Sequence, residues 1–280
     1  MKKGISIWAF SETDLKKNMK QAKDLGFDGI ELALEETGTV SPETTKEQAA
    51  EIVEYAKEIG LKLYSIATGL YWKYSITDND ATLRNKAIQL AKDHIRIASY
   101  FGCETILLVA GAVKVNFAPE LGVVDYETAY NRALAAVKEL SAVAEEYNVK
   151  IAVENVGNQL LISPVEMRDF IDKINSPYVV SYFDVGNVLY TGCPEHWIKA
   201  LGNRIDKIHF KDYAMVEGVY EVECDLLRGD VDYIAVMKAL KDINYKGWVT
   251  AEVFPYRLGN DVMLKHTAIA MDYILNDIHV

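Results

Sequence analysis

Residues 150–155 read Lys-Ile-Ala-Val-Glu-Asn. Side chains alternate along an extended chain. Ala152 and Glu154 therefore share one side, and Ile151 and Val153 share the other. The aliphatic side suits a sheet face covered by helices. The other side carries a small residue and then, at the C-terminal end, a carboxylate. The same form recurs downstream, in Tyr182-Phe-Asp-Val-Gly-Asn187, Lys207-Ile-His-Phe-Lys-Asp212 and Val249-Thr-Ala-Glu-Val-Phe254. Each is a mostly apolar, β-branched or aromatic run that ends at a metal-capable side chain. The order is Glu154, Asp184, His209, Glu252, at gaps of about one βα unit.

Working outward, the chain alternates strand-like and helix-like segments from end to end. The strand candidates are residues 5–10, 29–34, 62–67, 105–109, 150–154, 179–184, 207–210 and 248–253. Between them lie helical patterns. Residues 81–101 place Leu83, Ala87, Leu90, Ala91, His94 and Ala98 on one stripe, and residues 126–147 do the same with Ala129, Leu134, Val137, Leu140, Val143 and Ala144. Ser41-Pro42 and Ser163-Pro164 read as helix starts. Gly26, Gly60 and Gly102 each close a helical pattern before a strand, where a left-handed residue is expected. Repeated βα units imply a parallel sheet, and eight of them favour a closed (β/α)8 TIM barrel, one domain over residues 1–280. A doubly wound open sheet competes, but it usually carries a Gly-rich phosphate turn after its first strand. Here that strand runs into Trp8-Ala9-Phe10-Ser11. Two longer connections, residues 110–125 and 212–229, are expected on the face that carries the site.

Composition narrows the classes. The 280 residues carry a formal charge of −11, and half are hydrophobic. A basic footprint for nucleic acid is missing. Cys103, Cys193 and Cys224 are few and far apart, which indicates neither a disulfide framework nor a thiolate zinc site. The N-terminus reads as a first strand rather than a signal peptide, and no apolar run approaches the ~20 residues of a membrane helix. We expect a soluble cytoplasmic protein without membrane or nucleic-acid partners.

Barrel strands present chemistry at their C-terminal ends. Three carboxylates and one imidazole converging there make a hard, oxygen-rich site suited to one divalent ion, Mn²⁺ first, with Mg²⁺, Co²⁺ or Zn²⁺ as alternatives. Taken singly, each acid reads equally well as a loop residue or helix cap, and His209 as a satisfied polar residue. The argument lies in all four occurring at four strand ends.

Further residues border this group. Glu31 could accept a substrate hydroxyl or pair structurally with a lysine. Lys211 shares the strand parity of His209 and could polarise a substrate oxygen or pair with a carboxylate. Asn187 could orient Asp184 or bind substrate. Trp8, Phe10, Tyr64 and Trp72 could wall a pocket or simply pack. Arg228 and Arg257 are candidates for a phosphate, since no Gly-rich cradle is visible. His196 could lie near the mouth or only start a helix, and no chemistry is assigned to His94, His266 or His279.

The ordered set GFDGIEL (26–32), AVEN (152–155), FDVGN (183–187), IHFKD (208–212), RGDVDY (228–233) and AEVF (251–254) resembles the sugar phosphate isomerase/epimerase superfamily with its xylose-isomerase-like barrel. Within that superfamily it is most similar to the ketose and ketose-phosphate 3-epimerases. The resemblance implies that Glu154, Asp184, His209 and Glu252 bind one divalent metal, and that Glu154 and Glu252 also exchange protons with substrate. It implies a sugar or sugar phosphate as ligand and a homodimer or homotetramer as assembly. Three positions depart from the free-ketose pattern. Asn187 stands in place of a histidine, as in the phosphate-sugar branch. Met215 stands in place of an arginine, and Leu227 in place of a frequent glycine.

The expected reaction is proton abstraction beside a ketone and reprotonation from the opposite face, through an enediolate. The same residues would suit an aldose–ketose isomerase or an inosose-type polyol dehydratase. A barrel endonuclease is disfavoured by charge and by the few histidines. A non-catalytic sugar- or metal-binding relative is disfavoured by the retained pair of opposed glutamates.

Overall fold

A computed structural model describes residues 1–217 and 219–278, with nothing stated for the side chains of 219–222. The strands, in chain order, are β1 (Lys2–Ser6), β2 (Gly29–Ala33), β3 (Lys62–Ala67), β4 (Thr105–Leu108), β5 (Lys150–Glu154), β6 (Val179–Asp184), β7 (Ile205–Phe210), β8 (Asp212–Val216), β9 (Val219–Cys224) and β10 (Trp248–Ala251). All but β8 and β9 form a closed parallel barrel in the order β1-β10-β7-β6-β5-β4-β3-β2. The helices are α1 (Leu15–Asp24), α2 (Lys46–Glu58), α3 (Ala81–Tyr100), α4 (Tyr126–Tyr147), α5 (Pro164–Ile174), α6 (Pro194–Leu201), α7 (Tyr233–Asp242) and α8 (Asn260–Asp272). This is the TIM barrel that the alternating pattern implies. Among the described residues no helix is long and apolar enough to cross a membrane.

Local chemistry sets the element ends. Gly26, Gly60 and Gly102 take φ of +79°, +67° and +66° after α1, α2 and α3, as their sequence positions suggest. Ser163 caps α5 with Pro164 in its first turn. The start of α2 differs from expectation. Ser41-Pro42 lies in the preceding turn, and Thr45 is the cap, exchanging hydrogen bonds with Gln48 in a capping box. The first strand also differs, ending at Ser6 rather than Phe10. The Ser6 hydroxyl there accepts the Trp8 N–H at 3.4 Å and turns residues 7–9 into one 3-10 turn.

The interior of the barrel is layered. At its N-terminal end Tyr64 stacks on Trp248 with ring centroids 3.9 Å apart. Two glycines make room: a Cβ on Gly4 would lie 2.1 Å from the Tyr64 hydroxyl, and one on Gly29 would lie 2.7 Å from the Trp248 ring. Nearby, the buried Lys207 ammonium pairs with Asp206, which Lys150 also reaches at 2.6 Å. Toward the mouth comes a buried polar layer of Glu31, Ser65, Tyr182 and Thr250, and beyond it lies the quartet.

Residues 212–229, expected to be irregular, contain the antiparallel β8–β9 hairpin. Buried Asp212 ties down the turn that follows. Its carboxylate accepts the N–H groups of Tyr213, Leu227, Gly229 and Val231 at 3.0, 3.1, 3.0 and 3.1 Å. Gly218 in this segment and His279 in the tail lie outside the described residues.

Candidate metal centre

Glu154 ends β5, Asp184 ends β6, His209 is the fifth residue of β7, and Glu252 follows the last residue of β10. Adjacent strands in register carry them to one level: Asp184 pairs with His209 across β6 and β7, and His209 pairs with Thr250 across β7 and β10. The ladder continues past β10, with the Glu252 N–H donating to the Phe210 carbonyl at 3.0 Å. One ligand atom from each of the four residues lies within 4.8 Å of the others, and all four residues are buried. His209 Nδ1 is 3.1 Å from Glu252 Oε2, 3.5 Å from Glu154 Oε1 and 3.9 Å from Asp184 Oδ2.

Three of these inward atoms, Asp184 Oδ2, His209 Nδ1 and Glu252 Oε2, make no hydrogen bond of good geometry. Buried polar atoms are ordinarily satisfied, so several orphans aimed at one point call for a missing partner. Acidic oxygens and an imidazole nitrogen are the donor set of a divalent cation. The residues present fit such an ion.

Charge at the site follows from burial and from Lys211. That ammonium lies 2.7 Å from Glu252 Oε2 and 3.8 Å from Asp184 Oδ2. Burial alone would raise the Glu252 carboxyl, but Lys211 and His209 outweigh it and hold it below the usual range. Burial, reinforced by Glu252, raises Glu154. Burial pushes Asp184 up to about 8 against the pull of Lys211, with Glu252 and Glu154 adding to the rise. Burial opposes charge on His209, yet Glu31 and Glu252 hold the imidazole well above its ordinary value.

The bordering residues fall in three places. Lys211 and Asn187 are at the centre. The Asn187 N–H donates to Asp184 Oδ1 at 2.8 Å, and its amide donates to the Asn155 carbonyl at 3.1 Å. A Cβ on Gly186 would come 2.9 Å from the Lys211 carbonyl, so glycine permits this close packing. Glu31 lies beneath the quartet, wholly buried and occupied by protein groups: His209 Nε2 at 2.8 Å, the Ser65 hydroxyl at 2.8 Å and the Tyr182 hydroxyl. Arg228 is exposed and lines a cleft of about 360 Å³ with Glu223, Asp225, Phe254 and Tyr256. Arg257 is also exposed.

Of the aromatic candidates, Tyr64 belongs to the barrel floor. Trp72 meets Phe117 edge-on at 5.0 Å, joining the connection after β3 to the one after β4. His196 is exposed at the start of α6, and His94 is buried between helix and sheet.

Two contributors escape a reading of the sequence. The Asn155 side chain binds the Asp184 backbone, a contact that its place in the AVEN motif hints at without specifying. Glu223 reaches the site from the hairpin. Burial lifts its carboxyl to about 7, with Lys211 pulling down and Glu252 pushing up. An irregular-looking segment offered no signal for it.

A closed parallel barrel with a buried Glu-Asp-His-Glu cluster at the strand ends defines a class: barrel proteins whose mouth could hold a cation. The chain belongs to the xylose isomerase-like TIM barrel family, whose model matches residues 19–271. Similar sequences include a D-psicose 3-epimerase of Enterocloster bolteae, 28% identical over 86% of this chain and 77% of that protein. A putative L-ribulose-5-phosphate 3-epimerase of Escherichia coli is 25% identical over 86% of this chain and 84% of that protein. An uncharacterised protein of Methanocaldococcus jannaschii is 25% identical over 90% of this chain and 83% of that protein. Among solved structures, a D-psicose 3-epimerase of Clostridium cellulolyticum superposes over the full length of both chains with a TM-score of 0.84 at 20% identity, a likeness of fold.

Proposed function

We propose that the protein is a divalent-metal-dependent sugar epimerase that inverts carbon 3 of a ketose or ketose phosphate. The observation that carries the reading is the placement of Glu154 and Glu252. They come from β5 and β10, which lie on either side of β7 in the ring of strands, and meet at one buried point, with His209 Nδ1 3.5 and 3.1 Å away. Inversion needs one group to remove a proton and another to return it from the opposite face. The epimerase relatives support an isomerase-class enzyme with a small sugar substrate.

A divalent ion held by Glu154, Asp184, His209 and Glu252, Mn²⁺ foremost, would supply Lewis-acid stabilisation of the negative charge on the substrate oxygens. The chain's own residues do the rest. Lys211, paired with Glu252 and not with Glu154, holds Glu252 ionised, ready to take the carbon-bound proton. Glu154, reaching the same point from β5, is the group that returns a proton from the other face. Asn155 and Asn187 fix Asp184, and Arg228 and Glu223 contact the distal part of the sugar. We place the enzyme in the cytoplasm and assign it no nucleic-acid or membrane partner.

Proton exchange in D₂O, followed by NMR on a panel of ketoses and their phosphates with added Mn²⁺, tests the reading. Deuterium at carbon 3 with a new epimer is the expected result. Deuterium at carbon 1 or 2 with an aldose would make it an aldose–ketose isomerase. Loss of water would make it a dehydratase, and no exchange would end the epimerase reading.

A further inference from the structure

Glu31 is fully buried one layer below the quartet, and its two oxygens face different partners. Oε1 is 2.8 Å from His209 Nε2. Oε2 accepts the hydroxyls of Ser65, at 2.8 Å, and Tyr182. The opposite ring nitrogen, Nδ1, faces three carboxylates and makes no hydrogen bond. We propose that Glu31 is a positioning residue that fixes the tautomer of His209. As a carboxylate it only accepts, so it holds the proton on Nε2 and leaves the Nδ1 lone pair for the cation. This rests on the cation reading of the quartet.

The hydroxyls on Oε2 make the idea testable. Ser65 and Tyr182 are held in place, with Tyr182 also 3.3 Å from Thr250 Oγ1 and Thr250 2.8 Å from the Tyr64 hydroxyl. In Glu31→Gln the amide carbonyl must face these donors, which turns the NH₂ toward Nε2. Nε2 must then accept, and the proton is driven to Nδ1, where the cation belongs. A near-isosteric change thus reverses the ring's polarity. Tyr182→Phe, by contrast, removes one donor from Oε2 and leaves Oε1 on the imidazole.

The experiment is a Mn²⁺ titration by calorimetry of wild type, Glu31→Gln and Tyr182→Phe, with ¹H–¹⁵N imidazole spectra of the Zn²⁺-loaded wild type. Glu31→Gln should raise the Mn²⁺ dissociation constant about 10- to 100-fold, the usual cost of losing an outer-shell partner. Tyr182→Phe should keep most of the affinity. The wild-type spectrum should show the proton on Nε2 and the metal on Nδ1. Equal affinity in wild type and Glu31→Gln would overturn the inference, as would an equal loss in both variants or a proton on Nδ1 in the loaded wild type. If Glu31→Gln does not fold, the wild-type spectrum decides alone. A wild type that binds neither ion would take the inference down together with the cation reading, a result distinct from the others.

Discussion

Asn155 grips the backbone of Asp184 from both sides. Its Oδ1 accepts the Asp184 N–H at 2.9 Å, and its Nδ2 donates to the Asp184 carbonyl at 2.8 Å. An amide is the one side chain that offers both groups in this geometry. The residue after one ligand thereby fixes the next ligand across the β5–β6 pair. Asn155→Asp loses the donor and sets an acceptor against a buried carbonyl. We expect Mn²⁺ affinity to fall about tenfold, within the range for outer-shell changes, with the far-UV spectrum unchanged. Calorimetric titration reads the result, and wild-type affinity would refute the role.

Glu154→Gln and Glu252→Gln keep side-chain shape and remove the proton-exchanging group. Each should slow carbon-3 exchange by at least about 10²–10⁴-fold. Single-turnover exchange in D₂O at saturating Mn²⁺ separates this from weaker metal binding. Near-normal exchange in either variant would sink the two-glutamate proposal.

Metal removal gives a broader test. Dialysis against a strong chelator should abolish exchange, and Mn²⁺, Co²⁺ or Mg²⁺ should restore it. Activity indifferent to chelation would separate the quartet from the chemistry.

His94 predicts an acid limb of stability. Its Nε2–H donates to the Ile66 carbonyl at 3.1 Å, and Nδ1 accepts from the Tyr71 hydroxyl at 3.1 Å, so the neutral ring is fully satisfied. Burial lowers its pKa from 6.5 to about 3, against the pull of the Ile66 carbonyl. Between those values the unfolded chain binds the proton and the folded one does not. Stability therefore rises with pH through this window and is lost as pH falls below 6.5, by about 1.4 kcal/mol per unit. His94→Gln should be less stable at pH 7 and lose less between pH 6.5 and 5. Urea midpoints at the two pH values check this, and parallel losses would refute it.

Asp212 accepts four backbone N–H groups at 3.0–3.1 Å, three of them, from Leu227, Gly229 and Val231, in the turn after the hairpin. Asp212→Ala leaves these donors without their acceptor. We expect a cost of about 3 kcal/mol in urea unfolding. Gly229→Ala should act similarly, because its Cβ would lie 2.2 Å from Asp212 Oδ1. Unchanged midpoints would mean that the turn contributes little.

Much of the barrel was legible because alternation and helical stripes are local properties. Residues 62–67, 150–154 and 179–184 match β3, β5 and β6 end for end, and residues 126–147 match α4. The end of the first strand is not legible, because Ser6 stops it with a side-chain bond that apolar periodicity does not register. The hairpin looks irregular in sequence because a bulge between Ala214 and Met215 interrupts its pairing.

By itself the sequence determined which residues stand at the strand ends and which side of each strand they occupy, since side-chain parity is a property of the chain. That was enough to name Glu154, Asp184, His209 and Glu252. Only the closed barrel decided what lies under and beside them: Glu31 beneath His209, Lys211 against Glu252 and Asn155 around Asp184. Those contacts depend on inter-strand register, including the shifts between Ile30 and Glu31 and between Ser181 and Tyr182. Register is set by the whole ring of strands closing at once, and no local stretch of sequence encodes it.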